Sequence, residues 1–384
     1  MREARGRARR PCRAAEHEKC PWVTEAYMNI VGFSDVPEKR ILVPKSQKSD
    51  NQKIMTKAAF FGNASTSLEQ VYPRDRRDRI AAVCDVHPRT ITAQNFSSEI
   101  AALADLEVIF STWGMPGLTE NQIALMPKLR AVFYAAGSVK AFAIPFLDRG
   151  IVVVSAWAAN GVPVAEFVLA QTLLANKGYF RNIRDCGSPS TRSTAFRGSG
   201  NFHATVALLG AGMIGKKVIE LMKPFCLRVI VFDPFLSQAE ADRLGVEKVS
   251  LADAFQRGMV VSNHLANVPA TRGLLRREHF SVMPENAVFI NTGRGATVVE
   301  TDLIDVLRTR PDLTALLDVT DPEPPPAASP FYDLPNVLLS SHIAGSIGNE
   351  VTRMADTVIK EFHIWRNGAP LRYAVTREQL DTMA

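Results

Sequence analysis

Short β-branched apolar runs alternate with longer segments of helical character after residue 52. Parallel strands joined by crossover helices produce this alternation, so the pattern predicts an α/β fold built from βαβ units. The runs fall into two series, which predict two separate sheets. The strands expected in the first series are 57–61, 80–84, 107–110, 131–134 and 151–154, and those in the second are 205–209, 228–232, 259–263, 287–291, 313–318 and 336–340.

Three further segments indicate how the sheets are connected and covered. Pro163 stands where the first turn of a helix tolerates proline, and 164–176 is apolar on nearly every face. Such a helix must be covered by another domain or another subunit. The segment 185–200 is rich in Ser, Gly, Pro and Arg and predicts an exposed loop. The amphipathic segment 349–366 is expected to pack back against the first sheet.

A glycine-rich turn follows the first strand of the second series. Gly210, Gly212 and Gly215 form a GxGxxG motif between a predicted strand and a predicted helix that ends near 222. Gly210 permits the tight turn, Gly212 allows the backbone to approach a pyrophosphate, and Gly215 allows close packing of helix and strand. The first helical residues, Met213 and Ile214, are expected to direct free N–H groups at the phosphates.

Asp233 ends the next predicted strand, 18 residues after Gly215. A carboxylate there is placed to accept hydrogen bonds from the adenosine ribose hydroxyls. A 2′-phosphate would bring about two negative charges beside it, and the following residues are Pro234 and Phe235 rather than Arg. The sequence therefore predicts binding of NAD rather than NADP.

Three polar residues follow strands of the second series, namely Arg294, Glu323 and His342. Open α/β sheets bind ligands outside the carboxyl ends of their strands, so these side chains are expected to meet at one site. Each of them alone is compatible with an ordinary surface or hydrogen-bonding role. Their joint occurrence after a nucleotide-binding motif favours a catalytic site.

Together these motifs resemble the D-isomer-specific 2-hydroxyacid dehydrogenase family over about 131–363. By position, Arg294 is similar to the family's substrate-binding arginine, Glu323 to the acid that pairs with the histidine, and His342 to the catalytic acid/base. Asp318 is similar to the acid that orients the nicotinamide carboxamide, and Thr292 to a backbone contact with the cofactor. The resemblance implies an NAD-dependent oxidoreductase acting on D-2-hydroxy acids or 2-keto acids.

The resemblance also implies a Rossmann dinucleotide-binding domain plus a smaller flavodoxin-like substrate domain, both doubly wound parallel sheets, with the site in the cleft. The family's usual homodimer would bury the apolar 164–176 helix. We accordingly predict a basic, flexible extension over 1–52, a substrate domain over 53–157 and 346–384, and an NAD-binding domain over 158–345.

The residue types suit this chemistry. Hydride transfer at C2 of a 2-hydroxy acid needs a proton to join or leave the 2-oxygen, and imidazole titrates near neutrality. A carboxylate such as Glu323 on the other ring nitrogen of His342 fixes the tautomer and stabilises imidazolium. The planar fork of Arg294 can hold the substrate carboxylate and polarise the 2-keto oxygen.

Several positions depart from the family pattern and leave the substrate open. The loop expected to hold the carboxylate through backbone N–H groups contains Gly137 and Ser138, and Lys140 replaces an acid there. The facing loop carries Trp113, either a substrate wall or a core or lid aromatic. Support motifs also differ at Ala266 and Ser341, where the family usually has proline, and at Val299, where it usually has Asp.

Composition and charge indicate which partners and which cellular compartment are expected. Residues 1–20 hold seven basic residues and three Glu, so they account for +4 of the formal net charge of +6. This favours a solvated tail, or a start at Met28 or Met55, over a nucleic-acid partner.

The five cysteines are widely spaced without a CxxC pair, which fits neither a disulfide framework nor a zinc site and favours the cytoplasm. No apolar run reaches the length of a membrane span, so no membrane partner is expected.

Other functions within the resemblance stay open. One is an NAD-binding corepressor-like protein of the same fold, and another is a short glycerate or phosphoglycerate dehydrogenase. Formate dehydrogenase is disfavoured because that branch pairs its histidine with Gln, whereas position 323 is Glu. A phosphoglycerate dehydrogenase with a regulatory domain is disfavoured because only about 40 residues follow His342.

Overall fold

The computed structural model describes residues 55–63 and 67–380. These residues belong to one compact unit. The extension predicted over 1–52 lies outside the described residues.

The first sheet has five parallel strands. They are β1 Thr56–Phe61, β2 Cys84–Val86, β3 Val108–Ser111, β4 Ala131–Tyr134 and β5 Val152–Ser155. The spatial order β2-β1-β3-β4-β5 is that of a flavodoxin-like sheet. Phe60, Phe110 and Phe133 lie side by side in register across β1, β3 and β4.

The second sheet has seven parallel strands. They are β6 Thr205–Leu209, β7 Arg228–Phe232, β8 Glu247–Lys248, β9 Val260–Asn263, β10 Val288–Asn291, β11 Thr314–Leu317 and β12 Val337–Leu339. The spatial order is β12-β11-β10-β9-β6-β7-β8, so the winding direction reverses between β6 and β9. Ligands of doubly wound sheets bind in the crevice at such a switch point.

Helices cover both sheets, as parallel sheets require. Within the described residues they are α1 Ser67–Val71, α2 Arg74–Ala81, α3 Phe96–Glu99, α4 Glu120–Ala124, α5 Ile144–Leu147, α6 Trp157–Asn176, α7 Tyr179–Asp185, α8 Met213–Met222, α9 Gln238–Leu244, α10 Leu251–Arg257, α11 Arg277–Ser281, α12 Glu300–Thr309, α13 Val351–Arg366 and α14 Arg377–Leu380. Short 3₁₀ turns lie at Ile100–Leu103, Gly295–Thr297, Pro330–Tyr332 and Gly348–Glu350.

The predicted fold class, two doubly wound parallel sheets, is confirmed. The predicted strand at 80–84 is wrong. Ile80 is the buried residue of α2, so its apolar side chain serves a helix face, and the strand begins only at Cys84. The edge strand β8 was not predicted because its two residues, Glu247 and Lys248, are exposed and form no apolar run.

The apolar helix begins at Trp157, earlier than predicted, and Pro163 therefore lies inside α6 rather than in its first turn. Tertiary packing extends the helix: a Cβ added at Gly161 would lie 2.2 Å from the Met213 side chain, so α6 and α8 are in close contact. By length and composition, α6 is also the one described helix that could cross a membrane. Its Ala165 and Val168 are instead fully buried in the core of the second sheet.

The last long helix, α13, packs against the first sheet. The Phe362 ring meets Phe110 and Phe133 edge-on, with centroids 5.1 and 5.5 Å apart. Asp356 on the same helix accepts hydrogen bonds from Arg76 at 2.9 Å and Arg79 at 2.5 Å. The chain thus crosses to the second sheet and returns, and this places a cleft between the two sheets.

Candidate functional site

A cavity of about 720 Å³ lies between the sheets, within the usual range of roughly 300–1,000 Å³ for ligand sites. Residues from the carboxyl ends of strands in both sheets line it. Of the site residues predicted from sequence, the cavity wall includes Gly137, Ser138, Gly212, Met213, Ile214, Thr292, Arg294, Asp318 and His342. Gly210, Gly215, Asp233 and Glu323 are not part of this wall.

The glycine turn joins β6 to α8 at the switch point. Gly210 has φ +99°, a conformation that L side chains rarely adopt. A Cβ on Gly215 would lie 2.1 Å from the Gly210 carbonyl oxygen, so helix and turn are in backbone contact. No atom lies within 4 Å of a Cβ built on Gly212, so this position is open toward the cavity. The turn thus fits a pyrophosphate at the amino end of a ten-residue helix.

Asp233 holds the turn in shape. Its carboxylate accepts hydrogen bonds from the backbone N–H of Ala211 at 2.6 Å, of Phe235 at 2.7 Å and of Leu236 at 3.2 Å. An ionised carboxylate has about four acceptor positions. Three bonds leave capacity for a ribose hydroxyl, and they add a structural role that the sequence did not predict.

His342 and Glu323 form a direct pair. Nδ1 of His342 lies 2.6 Å from Oε1 of Glu323, and the side chains are 51% and 41% exposed. Because Nδ1 faces the carboxylate, Nε2 is the ring nitrogen left for proton transfer. Glu323 lines a second cavity of about 410 Å³ that also reaches His342 and Asp318.

Asp318 anchors the loop that carries His342. It is 3% exposed and accepts hydrogen bonds from Ser340 Oγ at 2.6 Å, Ile343 N at 2.8 Å and Ala344 N at 2.9 Å. His342 itself has φ +58°, in the left-handed region. These bonds hold the loop in that conformation. The contact of Asp318 with a nicotinamide carboxamide stays a prediction.

Arg294 follows β10 and is half-buried at the cavity wall. Its Nη1 donates to the Gly293 carbonyl at 2.7 Å. Burial lowers the pKa of the Arg294 guanidinium from its usual value, and the Glu323 carboxylate acts in the opposite sense. A guanidinium remains charged under these conditions, so Arg294 supplies a partly desolvated positive charge to the cavity.

Three buried polar atoms at the cavity have no hydrogen-bond partner within the described residues: Thr292 Oγ1, His264 Nδ1 and Ser346 Oγ. Buried polar atoms without partners are costly in proteins. Their presence together is consistent with a cavity built for a polar ligand. His264 bonds Ser262 Oγ through Nε2 at 3.0 Å, and burial lowers the pKa of His264 to about 4.

The loop after β4 offers backbone donors to the cavity. The Gly137 carbonyl accepts from Ser155 Oγ at 2.5 Å, which fixes the loop. No hydrogen bond engages the N–H of Gly137 or Ser138 among the residues that the structure describes. Lys140 reaches across the cleft, and its Nζ donates to the Asn267 carbonyl at 3.3 Å.

Several cavity residues were not identified from the sequence. Asn160 accepts from the N–H of Ser346 at 3.0 Å, linking the start of α6 to the segment before α13. Tyr134, Trp157 and Gln379 also line the cavity. Asn160 lies before the apolar helix predicted at 164–176, so the sequence did not single it out. Tyr134 ends a predicted strand and Trp157 follows the end of another by three residues.

Glu300 contacts the loop that carries Glu323. Its Oε1 accepts from the N–H of Asp321 at 2.8 Å, two residues before Glu323. Burial raises the pKa of Glu300. The neighbouring Val299 was noted in the sequence, but the contact of Glu300 with this loop was not predicted.

The glycine turn at a switch point, facing a second parallel sheet across a cleft, places the chain among the two-lobed dinucleotide-binding α/β proteins. Residues 171–344 match the sequence model of the D-isomer specific 2-hydroxyacid dehydrogenase NAD binding domain. The chain is thus similar to this family over 174 of its 384 residues. The match to an NAD binding domain confirms NAD as the predicted cofactor.

Two similar proteins are named D-3-phosphoglycerate dehydrogenase. That of Archaeoglobus fulgidus is 28% identical over 234 residues, covering 61% of this chain and 44% of that protein. That of Methanocaldococcus jannaschii is 30% identical over 219 residues, covering 56% and 41%. The chain thus spans less than half the length of these curated relatives. The apo structure of Rhodotorula graminis D-mandelate dehydrogenase has a TM-score of 0.70 at 18% identity, covering 84% of this chain and 98% of that one, which shows the shared fold.

Proposed function

We propose that this protein transfers a hydride between NAD and C2 of a D-2-hydroxy acid or the corresponding 2-keto acid. His342 is the acid/base, Glu323 is its partner, and Arg294 binds the substrate carboxylate. The observation that carries the proposal is the 2.6 Å bond between His342 and Glu323, with His342 lining the same cavity as Arg294 and the glycine turn.

The glycine turn and Thr292 would hold NAD, which would supply the hydride donor or acceptor when bound. In keto reduction His342 would give its proton to the 2-oxygen as a hydride reaches C2, so the keto group gains one hydride and one proton and becomes a hydroxyl. Glu323 stabilises the protonated ring before this transfer and fixes its orientation. In the oxidative direction His342 removes the same proton.

Arg294 and the loop after β4 position the substrate. The guanidinium fork can bond a carboxylate through two parallel N–H groups, and the N–H groups of Gly137 and Ser138 can donate hydrogen bonds to the same carboxylate. Asp318 holds the His342 loop through its bonds to Ser340, Ile343 and Ala344. These residues account for binding and orientation, which supply much of the catalysis in such reactions.

The test is NADH oxidation by the purified full chain with a panel of 2-keto acids, followed by absorbance loss at 340 nm. We expect turnover with at least one keto acid and none with the matched 2-hydroxy acid plus NADH. If the purified chain binds NADH but oxidises it with no keto acid of the panel, even at high enzyme concentration, the proposal is contradicted.

The domain boundaries, the oligomeric state and the cellular location are part of the same proposal. We place the substrate domain at 53–157 with 346–384 and the NAD-binding domain at 158–345. The apolar helix α6, with Leu174 39% exposed near its end, supports a homodimer that covers the remaining apolar surface. The cysteine pattern supports a cytoplasmic location. Light scattering of the purified chain tests the dimer.

A further inference from the structure

Aromatic side chains form the wall of the cavity on the side of the first sheet. Trp113 follows β3, Tyr134 ends β4, and Trp157 follows β5, so three neighbouring strands each contribute one ring. The carboxyl ends of parallel strands meet at the same sheet edge, so the parallel order of these strands brings the three residues to one cavity.

Two of the rings are held in place by other aromatic residues. The Tyr134 ring packs edge-on against Phe142 with centroids 4.9 Å apart, and it is 7% exposed. The Trp157 ring packs edge-on against Tyr373 at 6.0 Å. Rigid aromatic walls lose little conformational entropy when a ligand binds. Trp113 is 38% exposed and forms the outer part of the wall.

The cavity offers few positive charges. Among the described residues that line it, Arg294 is the one Lys or Arg, and the proposed function assigns it to the substrate carboxylate. Lys140 already donates to the Asn267 carbonyl. A phosphorylated side chain would add about two negative charges, which require further cationic or N–H donors.

We propose that the substrate carries a bulky apolar side chain on C2, and that Trp113, Tyr134 and Trp157 form the pocket for this side chain. The inference rests on the proposed function and adds the substrate class. It separates this protein from the D-3-phosphoglycerate dehydrogenases that it resembles in sequence, because their named substrate carries a phosphate.

The first experiment compares kcat/KM for four keto acids with NADH: pyruvate, 4-methyl-2-oxopentanoate, phenylpyruvate and 3-phosphohydroxypyruvate. One methylene in an apolar pocket changes kcat/KM by roughly 10- to 200-fold. We therefore expect the branched and aromatic acids to exceed pyruvate by at least about 10-fold, and the phosphorylated acid to be the poorest of the four. A higher kcat/KM for pyruvate or the phosphorylated acid overturns the substrate class while the dehydrogenase proposal stands. Absence of turnover with all four acids overturns both.

The second experiment separates a specificity role from a structural one. Trp113→Ala and the milder Trp157→Leu should lower kcat/KM for phenylpyruvate by about 10-fold or more, chiefly through KM, and change that for pyruvate by less than about 3-fold. Phe202→Ala is the matched control, since Phe202 is an aromatic residue 76% exposed and outside the cavity wall. Equal losses on both substrates, with the thermal unfolding temperature unchanged, overturn the assignment. Trp113 is the more exposed of the two tryptophans, so its variant decides the outcome if Trp157→Leu unfolds.

Discussion

His342 is held in a backbone conformation that few side chains adopt, and neighbouring polar groups maintain it. The loop N–H groups on its C-terminal side donate to the buried Asp318, and the ring bonds Glu323. The sequence identified His342, Glu323 and Arg294 from their place after strands. It did not show that the Asp318 carboxylate accepts hydrogen bonds from this loop, because these bonds join residues far apart in the chain.

Removing the imidazole should abolish proton transfer. His342→Ala is expected to lower kcat by roughly 10²- to 10⁴-fold, the range usual for a positioned acid/base. Glu323→Gln should lower it less and shift the pH profile of kcat/KM. NADH affinity, measured by fluorescence titration, should change little in both. His363→Ala serves as the control because His363 is an exposed histidine on α13. A His342→Ala enzyme with near-normal kcat would remove the acid/base role.

Arg294→Lys keeps the positive charge and loses the planar fork. We expect kcat/KM for the best keto acid to fall by about 100-fold, since Lys cannot bond a carboxylate through two parallel N–H groups. Steady-state kinetics and NADH titration measure the two effects separately. Arg243→Lys, on the surface of α9, is the control. If Arg294→Lys retains wild-type kcat/KM, the bidentate contact is absent.

At the scale of elements, the β6–turn–α8 unit depends on the close approach of backbone to backbone. Local motif and local structure agree here, so the sequence predicted this unit correctly from Thr205 to Met222. Prediction from the sequence was less accurate where contacts between distant segments determine the local structure. The strand predicted at 80–84 begins only at Cys84, because Ile80 lies in α2, and α6 begins at Trp157, before Pro163.

Gly215→Ala should displace the turn. The added methyl carbon would lie 2.1 Å from the Gly210 carbonyl oxygen, so the helix must move away from the strand. We expect the Kd for NADH to rise by at least about 10-fold, because the displaced N–H groups no longer face the phosphates. Gly117→Ala is the matched control, as no atom lies within 4 Å of its Cβ position. Equal NADH affinity in the two variants would show that the turn does not hold the cofactor.

At the scale of the whole molecule, the cavity between the sheets collects groups that the chain separates by more than 200 residues. His264 shows one consequence for stability. It is buried with its Nδ1 unpaired, and its pKa falls from 6.5 to about 4. The protonated form is therefore excluded from the folded protein over this interval, whereas the unfolded chain takes up the proton near pH 6.5.

The free energy of unfolding of the apoprotein should thus decrease as the pH falls from 6.5 toward 4. The unfolded state binds more protons in that window, and the loss from His264 amounts to about 3 kcal/mol at pH 4. Urea unfolding at pH 7.5 and pH 4.5 measures it, and His264→Gln should show a smaller decrease. His203→Asn is the control, since His203 is exposed. Parallel decreases in the wild type and His264→Gln would contradict this assignment.

The sequence by itself determined the two sheets, the glycine turn, NAD as cofactor and three candidate site residues, Arg294, Glu323 and His342. These depend on contiguous motifs and on the period of apolar residues, which are local properties of a chain. Only the tertiary structure decided that Trp113, Tyr134 and Trp157 line one cavity, that Asp318 bonds the His342 loop, and that His264 is buried without a partner for one nitrogen. Those features depend on strand order and packing within each sheet, because the groups involved follow strands that are separate in the chain and meet only when the sheet is assembled.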